Sequence, residues 1–147
     1  MNRQPSQPYD FFLTPRPSAQ VNGTMDYRKS VSVLVGQMLE AAHAAGLDRH
    51  EVAARASRLT GQNVSKAMLD GYTAPSRGTF NIPLWVAPVL EVICGGTLLA
   101  EWQARVIGGQ LLLGAETLDV EIGRAHRERV VANQRLRQLH RLSARAS

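Results

Sequence analysis

The stretch VAARASRLTGQNVSKAMLDGYTAPSR, Val52 to Arg77, decides how this chain is expected to fold. Small apolar residues recur at helical spacing up to Leu59, Gly61 follows, and a second short run ends near Pro75. Because glycine commonly ends helices and proline cannot continue one, the pattern predicts two short helices joined by a turn. The second helix begins with small and basic residues that have no obvious core to fill.

Polar residues that favour helix starts precede both runs. Asp48 stands at an N-cap position, and Glu51 follows three residues later as in a capping box. Ser65 can cap the second helix, in which Leu69 and Tyr72 are predicted to face inward. The sequence therefore predicts one helix that begins after Asp48 and another that begins after Ser65.

Apolar periodicity extends the helical pattern along most of the chain. From Ser30 to Ala45 an apolar residue recurs every three or four positions, and Gly46 then provides a stop. Asn81 and Thr97 are candidate N-caps of two further helices. Pro88 in the first of these requires a kink or a later start. With a long proline-free segment at the end, the sequence predicts an all-α fold of five or six helices.

The composition agrees with a small helical domain, and its charge is unevenly distributed. The chain has 147 residues, of which 44% are apolar and only 5% aromatic. Residues 124–147 hold seven arginines against the single acidic residue Glu128, whereas residues 1–123 hold ten basic and eleven acidic residues. A basic tail of this kind is typical of proteins that bind a polyanion, most often nucleic acid. The alternative is a solvated helix face.

The last predicted helix, roughly Ala115 to Ala144, carries a heptad pattern, and the segment QLLLG before it is a short strand or a turn. Alternating spacings of four and three residues define a seam along one side of the helix. Its apolar members, the candidate dimerisation residues, are Leu118, Ile122, Ala125, Ala132, Leu136 and Leu139. Arg129 and Ser143 occupy the same seam. A dimeric coiled coil and packing on the chain's own domain both fit this pattern.

The two short helices resemble the phage-repressor-like (lambda-repressor-type) helix-turn-helix family, with a longer turn. The resemblance covers Gly46 to Val92. The residues that carry it are Val52, Ala53, Val64, Ser65, Leu69, Tyr72 and Pro75. In that family the first helix braces the DNA backbone and the second enters the major groove. The resemblance implies a sequence-specific transcriptional regulator that binds double-stranded DNA as a homodimer.

Side-chain chemistry assigns provisional roles within this region. Lys66 with Gln62 or Asn63 can reach base edges or phosphates at the entrance of the second helix, where Ser65 also lies, because amides pair with adenine and cations favour guanine or phosphate. The candidate phosphate contacts are Arg55, Arg58 and Arg77. Asp70 would oppose DNA if exposed, so we expect it to cap or to pair with a neighbouring arginine.

These patterns divide the chain into three segments. Residues 1–27 contain four prolines and are predicted to form an extended or disordered arm, whose aromatic cluster Tyr9 to Phe12 is expected to pack on the domain or on a partner. Residues 28–110 form the helix-turn-helix domain. Residues 111–147 form the basic C-terminal helix.

Other classes of function receive little support from the sequence. The single cysteine, Cys94, fits a reducing cytoplasm, and no apolar run approaches the length of a membrane span. The four scattered histidines indicate no metal site, cofactor or catalytic group, so an enzyme is not expected. The alternative to DNA binding is a phage-like helical adaptor or inhibitor that grips a host protein with its last helix and aromatic arm.

Overall fold

The computed structural model describes residues 15–146 and contains six α-helices and no strand within that range. The helices are α1 (Arg28–Ala44), α2 (Arg49–Thr60), α3 (Lys66–Tyr72), α4 (Ala87–Cys94), α5 (Leu98–Val106) and α6 (Ala115–Ala146). The predicted all-α fold with a long C-terminal helix is thereby confirmed. The segment 110–114 forms no strand and ends in a turn. The aromatic cluster Tyr9 to Phe12 lies outside the described residues.

The chain divides into two compact units, Met1–Gln110 and Leu111–Ser147. The first unit contains α1 to α5, which enclose one hydrophobic core. Each of the five helices contributes fully or almost fully buried side chains, for example Leu39, Val52, Leu69, Leu90 and Leu99. The apolar stripe predicted for α1 thus faces a core built jointly by all five helices of this unit.

The predicted caps of the two central helices are confirmed. The Asp48 carboxylate accepts a hydrogen bond from the Glu51 backbone N–H at 2.9 Å, and α2 ends at Gly61, whose φ of 67° is in the left-handed region. The Ser65 hydroxyl accepts from the Met68 N–H at 3.2 Å at the start of α3. These bonds satisfy backbone groups that the helix ends would otherwise leave unpaired.

Three expectations about the surrounding residues are wrong. Asn81 caps no helix, because α4 begins only at Ala87, and the Asn81 side-chain amide instead donates to the Arg28 carbonyl at 2.9 Å. Thr97 occupies the N-cap position of α5 without a capping bond, since its hydroxyl donates to the Glu101 carboxylate at 2.5 Å. Leu59, assigned to the apolar face of α2, is 65% exposed.

The start of α5 is capped by a residue of the preceding helix instead. A carboxylate oxygen of Glu91 in α4 accepts hydrogen bonds from the backbone N–H groups of Leu99 at 2.8 Å and Ala100 at 3.0 Å. Pro88 lies in the first turn of α4, which begins only at Ala87, so the later start is confirmed. Glu91 therefore links the two helices, because one of its carboxylate oxygens accepts from two backbone N–H groups at the start of α5.

The last part of the N-terminal arm is held against the end of α5. The Ser18 N–H donates to the Val106 carbonyl at 2.9 Å, and Pro17 pairs with Ile107 in an isolated antiparallel bridge. Gly108 has a φ of 80° and approaches Pro17 so closely that a Cβ there would lie 2.5 Å from the proline ring. Residues 17 and 18 of the predicted arm are therefore attached to the first unit.

Candidate nucleic-acid interface

The candidate interface is built on the packing of α2 against α3. α2 buries Val52, Ala53 and Ala56, and α3 buries Leu69 and Tyr72. The turn between the helices, residues 61–65, adds the buried side chain of Val64. Because the inward faces of both helices are occupied by the core, their polar residues are directed outward.

Two hydroxyl groups of α2 hold this longer turn in place. Ser57 Oγ accepts a hydrogen bond from the Val64 N–H at 3.0 Å, and Thr60 Oγ1 accepts from the Gln62 N–H at 3.1 Å. The Thr60 hydroxyl donates to the Ala56 carbonyl at 2.8 Å. The turn is thus fixed by hydrogen bonds at both ends, while the Gln62 and Asn63 side chains are exposed.

Asp70 joins the two helices through an ion-pair network. Its two carboxylate oxygens accept from Arg49 Nη1 of α2 at 2.6 Å and from Lys66 Nζ of α3 at 2.6 Å. Arg49 Nη1 also donates to the Thr73 hydroxyl at 3.3 Å. The expectation that Asp70 pairs with a neighbouring arginine is confirmed. One carboxylate shared by two cations leaves a local surplus of positive charge.

The outer surface of α2 carries a second group of charges. Glu51 Oε1 accepts from Arg55 Nε at 2.8 Å and lies 3.5 Å from Arg58 Nη2. The Arg58 side chain remains 66% exposed. Two arginines again share one carboxylate, so this face of α2 also retains a net positive charge.

The loop after α3 folds back over that helix. The Phe80 ring stacks on Tyr72 with ring centroids 5.3 Å apart and an interplanar angle of 22°. A Cβ on Gly71 would lie 2.5 Å from a carbon of the Phe80 ring, so glycine makes this close approach possible. Arg77 within the loop is exposed.

The predicted DNA-binding residues differ in how accessible their side chains are to a ligand. Five of them are exposed: Arg55, Arg58, Gln62, Asn63 and Arg77. Lys66 is partly exposed and shares Asp70 with Arg49, whereas the Ser65 hydroxyl serves as a helix cap. Arg49 was not predicted from the sequence, because only the packing of α2 on α3 shows that it lies beside Asp70. Residues 48–77 carry five basic and three acidic side chains, a surplus of two.

In the second unit, α6 carries its apolar seam and most of its arginines on different sides of the helix. The larger seam side chains, Leu118, Ile122, Leu136 and Leu139, are all more than half exposed. If Ile122 is heptad position a, the positions farthest from the seam are b, c and f. These outer positions hold Arg124, Arg127, Arg137, Arg141 and Arg145, while Arg135 flanks the seam and Arg129 lies in it. The seam is therefore apolar apart from Arg129 and Ser143, while five of the seven arginines lie at the outer positions beside Val120, Val130 and Val131.

Acid is expected to destabilise the α2–α3 pair through Asp70. Its hydrogen bonds, first to Lys66 and then to Arg49, hold the pKa of the Asp70 carboxyl below its usual range. A carboxyl with a lowered pKa contributes stability above its unfolded pKa of ~3.9, and that stability is lost as pH falls through the folded pKa. We expect the parent to lose more stability than Asp70→Asn when the pH is lowered from neutral to below about pH 4. Thermal melts of both proteins across this pH range measure the difference. Glu40→Gln, at an exposed residue of α1 outside this network, should retain the parental profile.

Metal sites and membrane spans are both lacking in the described part of the chain. Among residues 15–146, no three histidine, cysteine, aspartate or glutamate side chains group as metal ligands would. None of the helices in this range combines the length and apolar character required to cross a bilayer. No family model, curated protein or solved structure matches the chain.

Proposed function

We propose that the protein is a sequence-specific, DNA-binding transcriptional regulator of the phage-repressor type that acts as a homodimer. The observation that carries the proposal is the α2–α3 pair, in which two short helices share a buried face and direct basic and amide side chains outward. A helix-turn-helix of this kind places its second helix in the major groove. The basic side of α6 supports the same class of partner.

In this proposal the exposed residues have distinct roles. Gln62 and Asn63 lie in the turn before α3, where amides can pair with adenine edges, and Lys66 can reach guanine or phosphate. Arg55 and Arg58 on α2 contact phosphates, which orient the protein without reading the sequence. Asp70 sets the position of Lys66, since its carboxylate holds the ammonium group at 2.6 Å.

Lys66→Ala and Arg58→Ala are each expected to weaken binding to duplex DNA without unfolding the protein. Neither residue belongs to the buried core, so the helical content should remain that of the parent. Each lost phosphate contact should reduce the slope of log affinity against log salt by about one unit. Electrophoretic mobility shifts at several salt concentrations, with random duplex and with genomic fragments from the native source, measure both effects.

A matched control for these variants is Arg105→Ala. Arg105 is an exposed arginine in the last turn of α5, a helix that belongs to neither α2 nor α3. Its removal changes the net charge by the same amount and should leave the affinity and the salt slope nearly unchanged. If Lys66→Ala and Arg58→Ala bind as tightly as Arg105→Ala, the α2–α3 surface is not where DNA binds.

A protein-binding adaptor is the second candidate, favoured by an apolar surface on the first unit. Leu84, Trp85 and Val92 are all at least half exposed, although residues of this kind usually avoid water. A host protein bound through such contacts would be held largely by apolar burial. Binding would then depend weakly on salt, whereas DNA binding should fall steeply as salt rises. A salt titration against random duplex separates the two candidates.

A further inference from the structure

The seam of α6 contains one residue that restricts how a second copy can pair with it. Arg129 occupies heptad position a, between the apolar a positions Ile122 and Leu136. In a parallel two-stranded coiled coil, position a faces position a of the partner, so Arg129 would meet another Arg129. Two guanidinium groups facing each other at the centre of the interface repel and cannot pair.

Antiparallel pairing removes this conflict and also improves packing. In that orientation each a residue faces a d residue, and the d positions in the middle of α6 are Ala125 and Ala132. One register places Arg129 opposite Ala132 and Leu136 opposite Ala125. A large side chain then faces a small one, whereas parallel pairing would stack alanine on alanine and leave those layers underfilled.

The charge distribution along α6 points in the same direction. Residues 115–123 contain Glu116, Asp119 and Glu121 with no basic residue, and residues 124–146 contain seven arginines with one glutamate. Parallel helices would place the arginine-rich ends side by side. Antiparallel helices place the acidic end of each copy beside the basic end of the other, and in the register above Glu128 flanks Arg135 of the second copy.

We propose that α6 binds α6 of a second copy of this chain in antiparallel orientation. The inference rests on the homodimer of the proposed function and specifies the geometry of its interface. In this dimer the exposed seam packs against the same seam of the second copy, which runs in the opposite direction. The seam is formed by Leu118, Ile122, Leu136 and Leu139.

This orientation has a consequence for the two DNA-binding units. With a rise of ~1.5 Å per residue, antiparallel pairing of 32-residue helices separates their N-termini by about 45 Å. Parallel pairing would bring those ends within about 10 Å. Half-sites one helical turn apart on DNA are separated by ~34 Å. The antiparallel pair thus holds the two N-termini of α6 at a spacing comparable with that of adjacent half-sites.

Thiol cross-linking of full-length protein tests the orientation. Asp119→Cys and His140→Cys are made separately in a Cys94→Ala background, which removes the only native thiol. Both positions flank the seam and lie ~30 Å apart along one helix. A bismaleimide that spans neighbouring helices but not this distance should cross-link the two variants when they are mixed. The yield should match the fraction of mixed dimers that random pairing of the two variants produces. Neither variant alone should cross-link.

Efficient cross-linking of Asp119→Cys with itself would show a parallel pair and overturn the inference. That result would leave the dimer and its DNA binding intact, and mobility shifts on the same samples would report the binding independently. Absence of cross-links both in the mixture and in the separate variants would overturn it as well. Far-UV circular dichroism and light scattering first establish that the Cys94→Ala background retains the parental fold and mass.

Discussion

Leu136→Asp combined with Leu139→Asp is expected to yield a monomer that binds DNA much more weakly than the parent. The two leucines are adjacent members of the α6 seam, and both are more than half exposed in the single chain. Burying a leucine side chain contributes roughly 1.5 to 3 kcal/mol, and a dimer buries four of these side chains. The substitution replaces them with four carboxylates that would lie unpaired in the interface. The dimer dissociation constant should therefore rise by at least ~100-fold.

Weaker dimerisation should reduce DNA affinity because each monomer contacts only one half-site. Light scattering at tens of micromolar measures the mass, and mobility shifts on the same samples measure the binding. A monomeric parent at that concentration would remove the α6 dimer from the proposal. A double variant that remains dimeric would place the interface elsewhere in the chain.

The control for this pair is Gln134→Asp combined with Gln138→Asp. Gln134 and Gln138 occupy positions f and c of the same helix, away from the seam, and both are exposed. This control introduces the same two negative charges and should leave the protein dimeric. A loss of DNA affinity that occurs in both the control and the seam variant is the effect of the added negative charge alone. The remaining difference between the two variants is the effect of dimerisation.

Leu69→Ala is expected to destabilise the first unit strongly. The Leu69 side chain is fully buried and anchors α3 in the core beside Tyr72. A buried leucine truncated to alanine typically costs about 2 to 5 kcal/mol, because burial is lost and a cavity remains. In a domain of this size each kcal/mol lowers the melting temperature by about 4 to 8 °C. We expect the melting temperature to fall by at least ~8 °C.

The chain offers a matched control for that truncation in Leu59→Ala. Leu59 lies on α2 and is 65% exposed, so the same chemical change removes little buried surface there. The control should shift the unfolding free energy by no more than ~0.5 kcal/mol. Urea denaturation followed by circular dichroism compares the two variants. Equal effects would mean that α3 is not anchored through Leu69.

Features that depend on neighbouring residues were predictable from the sequence. The capping groups Asp48 and Ser65 bond to backbone N–H groups three residues away, and Gly61 ends α2 through its own φ. The apolar spacing of α1 to α3 likewise follows from helical geometry alone. Local rules therefore sufficed for the existence and approximate bounds of these helices.

Expectations at Asn81 and Thr97 were wrong because each side chain bonds to another partner, which is distant in the sequence for Asn81 and four positions away for Thr97. Asn81 bonds to α1, more than 50 positions earlier, where the Arg28 carbonyl offers an acceptor. Thr97 pairs with Glu101, and Glu91 takes over the cap of α5. Thr97 thus marked the start of α5 correctly without making the capping bond, whereas Asn81 lies six residues before α4 begins at Ala87.

The sequence by itself determined the all-α class, the helix caps of α2 and α3, and the apolar and basic sides of α6, because each follows from spacing within one segment. Only the tertiary structure decided that Arg49 joins Lys66 at Asp70. Lys66 and Asp70 are four residues apart on α3, so helical spacing alone allows their pair. Arg49 reaches Asp70 across 21 positions of sequence because core packing brings the start of α2 beside α3. A contact between two helices depends on their distance in space, which periodicity along the chain does not encode.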